Sequence, residues 1–204
     1  MFARSTTMMA RSDQIDAGIT YIRDQVMPVL QELPGSIGLS LMVDRESGRC
    51  IATSAWESED ALHYSASEAR RLRNLAADQF GGAPMVEEWE IAVLHRERGN
   101  GACIRATWLT VPPDLMEAGI DYFRDTVLRQ VEHLPGFCSA SLLVDRGSGR
   151  AVSSVSFRTR ELMDDYWEQA TALKVESMRA AGASEIDDCA FDLAIAHLRV
   201  PELV

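Results

Sequence analysis

The sequence is poor in positive charge. Among its 204 residues, 20 Lys and Arg stand against 31 Asp and Glu, a formal charge of −11. Nucleic acid and anionic membrane surfaces would repel such a chain, so neither is expected as a partner. No stretch approaches the roughly 18 apolar residues of a spanning helix, and residues 1–10 lack the basic-then-apolar order of a secretion signal. A cytoplasmic location is the expectation that follows. Cysteine is scarce: Cys50, Cys103, Cys138 and Cys189 are never spaced as CxxC, and no HExxH occurs. No metal site is expected, and the thiols read as small buried side chains rather than disulfide partners. Also missing are a GxSxG elbow, a glycine-rich phosphate loop and a dinucleotide fingerprint, which argues against serine hydrolysis and nucleotide cofactors.

What the chain does contain is a repeat. Asp13-x-x-x-Ala17-Gly18-Ile19-x-Tyr21-x-Arg23-Asp24 returns as Asp114-x-x-x-Ala118-Gly119-Ile120-x-Tyr122-x-Arg124-Asp125, an offset of 101 residues. Leu33-Pro34-Gly35 returns as Leu134-Pro135-Gly136, and Val43-Asp44-Arg45-x-Ser47-Gly48-Arg49 as Val144-Asp145-Arg146-x-Ser148-Gly149-Arg150. Trp89-Glu90-Ile91-Ala92-Val93-x-His95 matches Phe191-Asp192-Leu193-Ala194-Ile195-x-His197 at offset 102, so one residue has entered before the last strand. The chain reads as two units, 1–98 and 101–204, joined near Gly99-Asn100-Gly101.

Residues 2–9 have strand character. A helix over 13–32 follows, with Ile15, Ile19, Ile22, Val26, Val29, Leu30 and Leu33 in one stripe, Ser12 as N-cap and Pro34-Gly35 as stop. Strands at 37–44 and 49–56 flank a short turn, with Leu39, Leu41 and Val43 on one face and Met42 and Trp56 on the other. Ser58-Glu59-Asp60 opens a second helix that buries Ala61, Leu62, Ala69, Leu72, Leu75 and Ala76, and residues 86–95 form the last strand. The order βαββαβ predicts an α+β fold of ferredoxin-like type. With apolar residues on both strand faces, two tandem units predict an intrachain pseudo-dimeric α/β barrel. Further self-association of the full chain is left open.

At Trp56-Glu57-Ser58-Glu59-Asp60-Ala61, after Pro34-Gly35 and the Asp44-to-Gly48 hairpin, the first half resembles the antibiotic biosynthesis monooxygenase family. The second half carries the drifted Phe157-Arg158-Thr159-Arg160-Glu161-Leu162. The resemblance implies a dimeric α/β-barrel fold. Among its members are cofactor-independent oxygenases of phenols or quinols, haem-degrading enzymes and proteins without known activity. The haem-degrading pattern of a first-strand Asn and a second-helix Trp with His ten residues later is absent: Arg4, Ser5, Thr6 and Arg105, Ala106, Thr107 stand on the first strands, and Glu176 and Ser177 follow Tyr166 and Trp167.

Chemistry-bearing residues recur in both halves. His95 and His197 occupy equivalent places late in the last strands, as a general base toward a phenol or as structural imidazoles. Arg4 and Arg105 share strand phase with Thr6 and Thr107. They read as clamps for a phenolate or as partners of an acid on a neighbouring strand. Glu87-Glu88 and Asp187-Asp188 read as solvated acids. The second half is richer in aromatics. The predicted site is therefore a pocket there, lined by Trp108, Tyr122, Tyr166 and Trp167, with His197 as base and Arg105 as clamp. It would take a small aromatic ligand, the substrate itself supplying electrons to oxygen without a cofactor. The competing reading is a non-catalytic small-molecule-binding or assembly module of the same fold.

Overall fold

The computed structural model describes residues 1–97 and 101–198, with the side chains of residues 167, 168, 170 and 198 outside the description. The junction residues Gly99 and Asn100 lie outside it as well. In the first half, β1 (Phe2–Met9) leads into α1 (Ile15–Tyr21), a π-helical turn (Ile22–Val26) and α2 (Met27–Glu32). Then come β2 (Ser36–Val43), β3 (Arg49–Trp56), α3 (Glu59–Tyr64), α4 (Ala66–Phe80) and β4 (Met85–Arg96). The second half repeats this with β5 (Cys103–Thr110), α5 (Met116–Tyr122), a π-helical turn (Phe123–Val127), α6 (Leu128–Val131), β6 (Phe137–Asp145), β7 (Arg150–Phe157), α7 (Arg160–Asp165), α8 (Trp167–Ala180) and β8 (Ser184–Leu198).

Three local readings are corrected. The first helix is capped at Gln14, not Ser12, and without a side-chain bond. Trp56 lies on the same sheet face as Leu39, Leu41 and Val43, because the β2–β3 register sets Leu39 opposite Ser54, two residues before Trp56 on β3. Leu75 is exposed, whereas Leu72 and Ala76 of the same helix are buried. Ser58 is confirmed as a cap: its hydroxyl accepts a bond from the Ala61 amide, as Thr159 does from Leu162.

The repeated Asp-Arg-x-Ser-Gly-Arg motif is the β2–β3 and β6–β7 turn. Asp44 accepts bonds from the Glu46 amide (3.0 Å) and the Ser47 hydroxyl (2.5 Å), and Asp145 accepts from Gly147 and Ser148. Gly48 at φ +79° and Gly149 at φ +70° close the turns. A Cβ there would meet the carbonyl oxygen of Ala10 or Val111.

The eight strands are hydrogen-bonded in the order β1-β3-β2-β8-β5-β7-β6-β4, a closed antiparallel barrel with ferredoxin-like βαββαβ repeats. The compact units differ from the sequence repeats. Unit 1 takes Met1–Trp89 with β8 from Asp192, and unit 2 takes Glu90–Phe191. The reason lies in the pairing. The edge of β2 is completed by the second half of β8 (Leu39↔His197, Leu41↔Ile195), and that of β6 by the second half of β4 (Leu94↔Ser141, His95↔Ala140). Each repeat thus supplies the strand that satisfies the other unit's open edge.

Each unit has its own core beneath its helices. In unit 1, Ile15, Ile22, Trp56, Leu62 and Phe80 are almost fully buried; in unit 2, Phe123, Val127, Phe137 and Val144 hold the matching place. Gly18 shows how close the packing is. A Cβ there would lie 2.4 Å from the Phe80 ring, whereas at the equivalent Gly119 it would lie 3.3 Å from the small Ala181.

Two predictions follow. Residues 1–98 alone lack the β8 segment that pairs β2, and residues 101–204 lack the β4 segment that pairs β6. Expressed separately, the halves should aggregate or recombine into a one-to-one species on mixing, as read by light scattering. Two stable monomers indifferent to each other would contradict this. In the intact chain, Gly18→Ala should lose about 1–3 kcal/mol by overpacking, whereas Gly119→Ala should stay within about 1 kcal/mol of wild type; urea unfolding compares them.

Candidate functional site

Unit 2 encloses a cavity of about 110 Å³ between its sheet and helices. One water needs roughly 10–15 Å³ in this measure, so the space suits a small ligand. Most of the wall is apolar, including Leu109, Ile120, Phe123, Val127, Phe157 and Met178. Strand alternation explains who faces it: Arg105, Thr107 and Leu109 of β5 line the wall, while Trp108 points to the opposite face, edge-on to Phe191 at 6.2 Å between ring centroids. The π-helical turn places Phe123 and Val127 on the wall. Its counterpart does the same in unit 1 with Ile22 and Val26. Such widened turns often accompany binding sites.

The polar end of the cavity is built around Asp188. Its Oδ2 accepts bonds from Thr107 Oγ1 (2.8 Å) and Lys174 Nζ (2.7 Å), and its Oδ1 lies 2.5 Å from Arg105 Nη2. Lys174 also pairs with Glu185 at 2.9 Å. Burial by itself would raise the Asp188 pKa. The bonds from Lys174 and Thr107 and the charge of Arg105 outweigh it and hold the carboxyl below its ordinary value. For Lys174, burial opposes the charge, but Asp188 and Glu185 prevail and hold its pKa above the usual value. Lys174 is therefore a cation at neutral pH, suited to holding an oxyanion rather than to attack as a free amine.

Unit 1 has the equivalent but smaller cavity, about 50 Å³, lined by Arg4, Thr6, Ile22, Val26, Leu72 and Arg73 among others. Arg4 is almost fully buried and committed: Nε donates to Glu88 (2.9 Å), Nη1 to the Ser65 hydroxyl (3.2 Å) and Nη2 to the Leu62 carbonyl (2.8 Å). The size difference has a residue-level contribution. Phe80 fills the space above Gly18, and its counterpart at offset 101 is Ala181, which with Gly119 lines the open unit 2 cavity.

Of the predicted site residues, Arg105 and Tyr122 line the unit 2 cavity. Trp108 does not, for the reason of strand phase. Tyr166 sits half-buried at the α7–α8 junction and is not part of the wall; the side chain of Trp167 lies outside the described residues. His197 pairs with Leu39 in unit 1 and lines neither cavity. His95 stacks on Phe137 at 6.1 Å and lies 3.6 Å from Glu132. The structure bears out Arg4 and Arg105 as partners of acids on a neighbouring strand. The reading of Asp187-Asp188 as solvated acids is corrected: Asp188 is 8% exposed and organises the cluster. Lys174 was missed although the sequence carries a signal, since it is the chain's single lysine beside 19 arginines.

Replacing Asp188 removes the acid that Arg105 and Lys174 share and leaves Lys174 only Glu185 of its two acids, so Asp188→Asn should cost about 3 kcal/mol at neutral pH. A folded-state pKa below the unfolded one means that the carboxylate's stabilisation is present above the unfolded value and is lost as pH falls through the folded value. The gap between wild type and Asp188→Asn should therefore close on acidification below the carboxylate range, as followed by urea unfolding across pH.

No protein-family model matches the chain. It is 56% identical over 206 residues to the uncharacterized protein Rv2557 of Mycobacterium tuberculosis, spanning 100% of this chain and 92% of that one. It is 49% identical over 207 residues to Rv2558 of the same organism, spanning 100% and 88%. Among solved structures, an anthrone oxidase-like protein superposes with a TM-score of 0.67 at 13% identity, covering 99% of this chain and 94% of the other. A ferredoxin fold protein related to antibiotic biosynthesis monooxygenases, from Listeria monocytogenes, gives 0.54 at 6% identity, covering 95% of each. The chain belongs to the family of the mycobacterial proteins Rv2557 and Rv2558, and its fold is the dimeric α/β barrel of the antibiotic biosynthesis monooxygenases.

Proposed function

We propose that unit 2 binds a small electron-rich phenol or quinol and oxygenates it, with the substrate itself supplying the electrons. The observation that carries this reading is an apolar cavity whose one polar end presents Arg105, Thr107, Lys174 and Asp188. The ring would lie among Leu109, Ile120 and Phe123, and its hydroxyl would face the two cations. Cations beside a phenol favour the phenolate, the form that donates electrons to oxygen, and the apolar walls keep water from weakening their hold. The reaction balances without another reductant: quinol plus O2 gives hydroxyquinone plus water. Solved structures of the same fold include the anthrone oxidase-like protein, which supports this class of reaction.

The sequence reading gave deprotonation to His197. The unit 2 cavity favours a route in which Arg105 and Lys174 acidify the substrate instead. A second reading, binding without turnover, is favoured by the fact that Asp188 already engages both cations, so a ligand must compete with it.

Oxygen uptake with 1,4-hydroquinone, corrected for the uncatalysed rate, separates these possibilities. On the proposed route, Lys174→Met should lower kcat/KM by about tenfold or more, the worth of one charged hydrogen bond. Under a histidine route, His197→Ala should lose about 10²–10⁴ in rate; an undiminished rate assigns activation to the cations. Shifts of the Met116, Met163 and Met178 methyl resonances on adding phenol, without any oxygen uptake, would favour the binding module.

A further inference from the structure

The two cavities descend from one repeated unit, yet their charges differ. In unit 2 the ionic lining is Arg105, Lys174 and Asp188, so the carboxylate is built in. In unit 1 the ionic lining is Arg4 and Arg73, both positive. Lys174 and Arg73 stand at the same repeat position, 101 residues apart. Lys174 bonds two acids, whereas among the described residues Arg73 has no hydrogen bond or ion pair. Glu88 acts on Arg73 only through its field, and its carboxylate is engaged by Arg4. Burial, and then repulsion from Arg4 and Arg70, holds the Arg73 guanidinium below its ordinary pKa. With Arg4 already paired to Glu88, Arg73 is the half-buried cation on this apolar wall that lacks an anion of its own.

We propose that the unit 1 cavity binds a short-chain carboxylate, its head group between Arg73 and Arg4 and its alkyl chain among Met8, Ile22, Leu30 and Leu72. The proposal goes beyond the phenol reading and concerns the other unit. The size agrees. A cavity of about 50 Å³ holds a few water equivalents, the room a two- to four-carbon acid needs. The planar guanidinium of Arg73 matches a carboxylate in bidentate fashion, which the lysine of unit 2 cannot do. Arg4 is already fixed by Glu88, Ser65 and Leu62 and its charge is paired, so it forms a rigid wall beside the head group while Arg73 supplies the ion pair.

The test uses the full chain with its methionine methyls labelled with carbon-13. Met8 lines the unit 1 cavity, and Met116, Met163 and Met178 line that of unit 2, so the methyl signals report each cavity separately. Titration with sodium butyrate should move Met8 and leave the three unit 2 methyls in place. Butyramide, the neutral isostere, should bind at least about tenfold more weakly, and Arg73→Met should weaken butyrate by a similar factor. A still Met8 signal in tens of millimolar butyrate would overturn the proposal. Equal affinity for butyramide, or undiminished binding by a folded Arg73→Met, would do so too. Inorganic phosphate binding as tightly as butyrate would reveal a bare anion site and defeat the claim for an alkyl tail. Should Arg73→Met not fold, the comparison of butyrate with butyramide on wild type decides. Phenol binding is read from the unit 2 methyls and oxygen uptake, so the two proposals fail separately.

Discussion

An arginine on the first strand of each unit must keep its charge where water is largely excluded, and much of each site follows from that demand. Arg4 and Arg105 point inward because their strand phase leaves no other face for them. Each then needs an acid from a strand beside it: Glu88 on β4 and Asp188 on β8 supply it. Removing one partner of such a pair is costly, so the first and last strands of each unit are tied by charge as well as by backbone bonds. The charged side chains of each cavity are thereby gathered beside that pair, while the rest of the wall is mostly apolar.

Duplication has let the two cavities part company. Unit 1 spends its arginine on structure, bonding Arg4 to the α3–α4 junction through Ser65 and Leu62, and fills part of its space with Phe80. Unit 2 has Ala181 where Phe80 stands, so the space opens, and Lys174 and Asp188 complete a balanced polar end. A few positions on a shared scaffold therefore change both the size and the charge of a cavity. The strands and turns that hold the scaffold are almost unchanged, since the Asp-x-x-Ser-Gly turn recurs with the same bonds in both halves.

Much of the fold was legible because its signals are local and doubled. The repeat, the Pro-Gly stops, the Asp44 and Asp145 turns and the Ser58 cap each name their own structure, and β1 and β3 fall on the residues that strand patterning selects. The site was only partly legible. The phase of Arg105 and Thr107 could be read by counting in twos, and the same count would have separated Trp108 from them. Asp188 could not be read in this way, because its burial depends on partners on β5 and α8. The placement of His197 was hidden for a different reason. It follows from where β8 leaves one unit and completes the other, a property of long-range pairing that no local pattern announces.

That exchange of strand halves also explains why His197 lines neither cavity. His95 and His197 belong to the segments of β4 and β8 that complete the edges of β6 and β2. The acids Glu88 and Asp188 belong to the segments that remain beside the cavity arginines. A single strand thus serves two purposes along its length, balancing charge in one unit and closing an edge in the other. Residues close in sequence and alike in both repeats are divided between these purposes. Conserving the histidines across the repeat keeps the edge-closing segments alike. The divergence in cavity size and charge sits instead at Arg73 against Lys174 and Phe80 against Ala181, at the helices that cover the cavities.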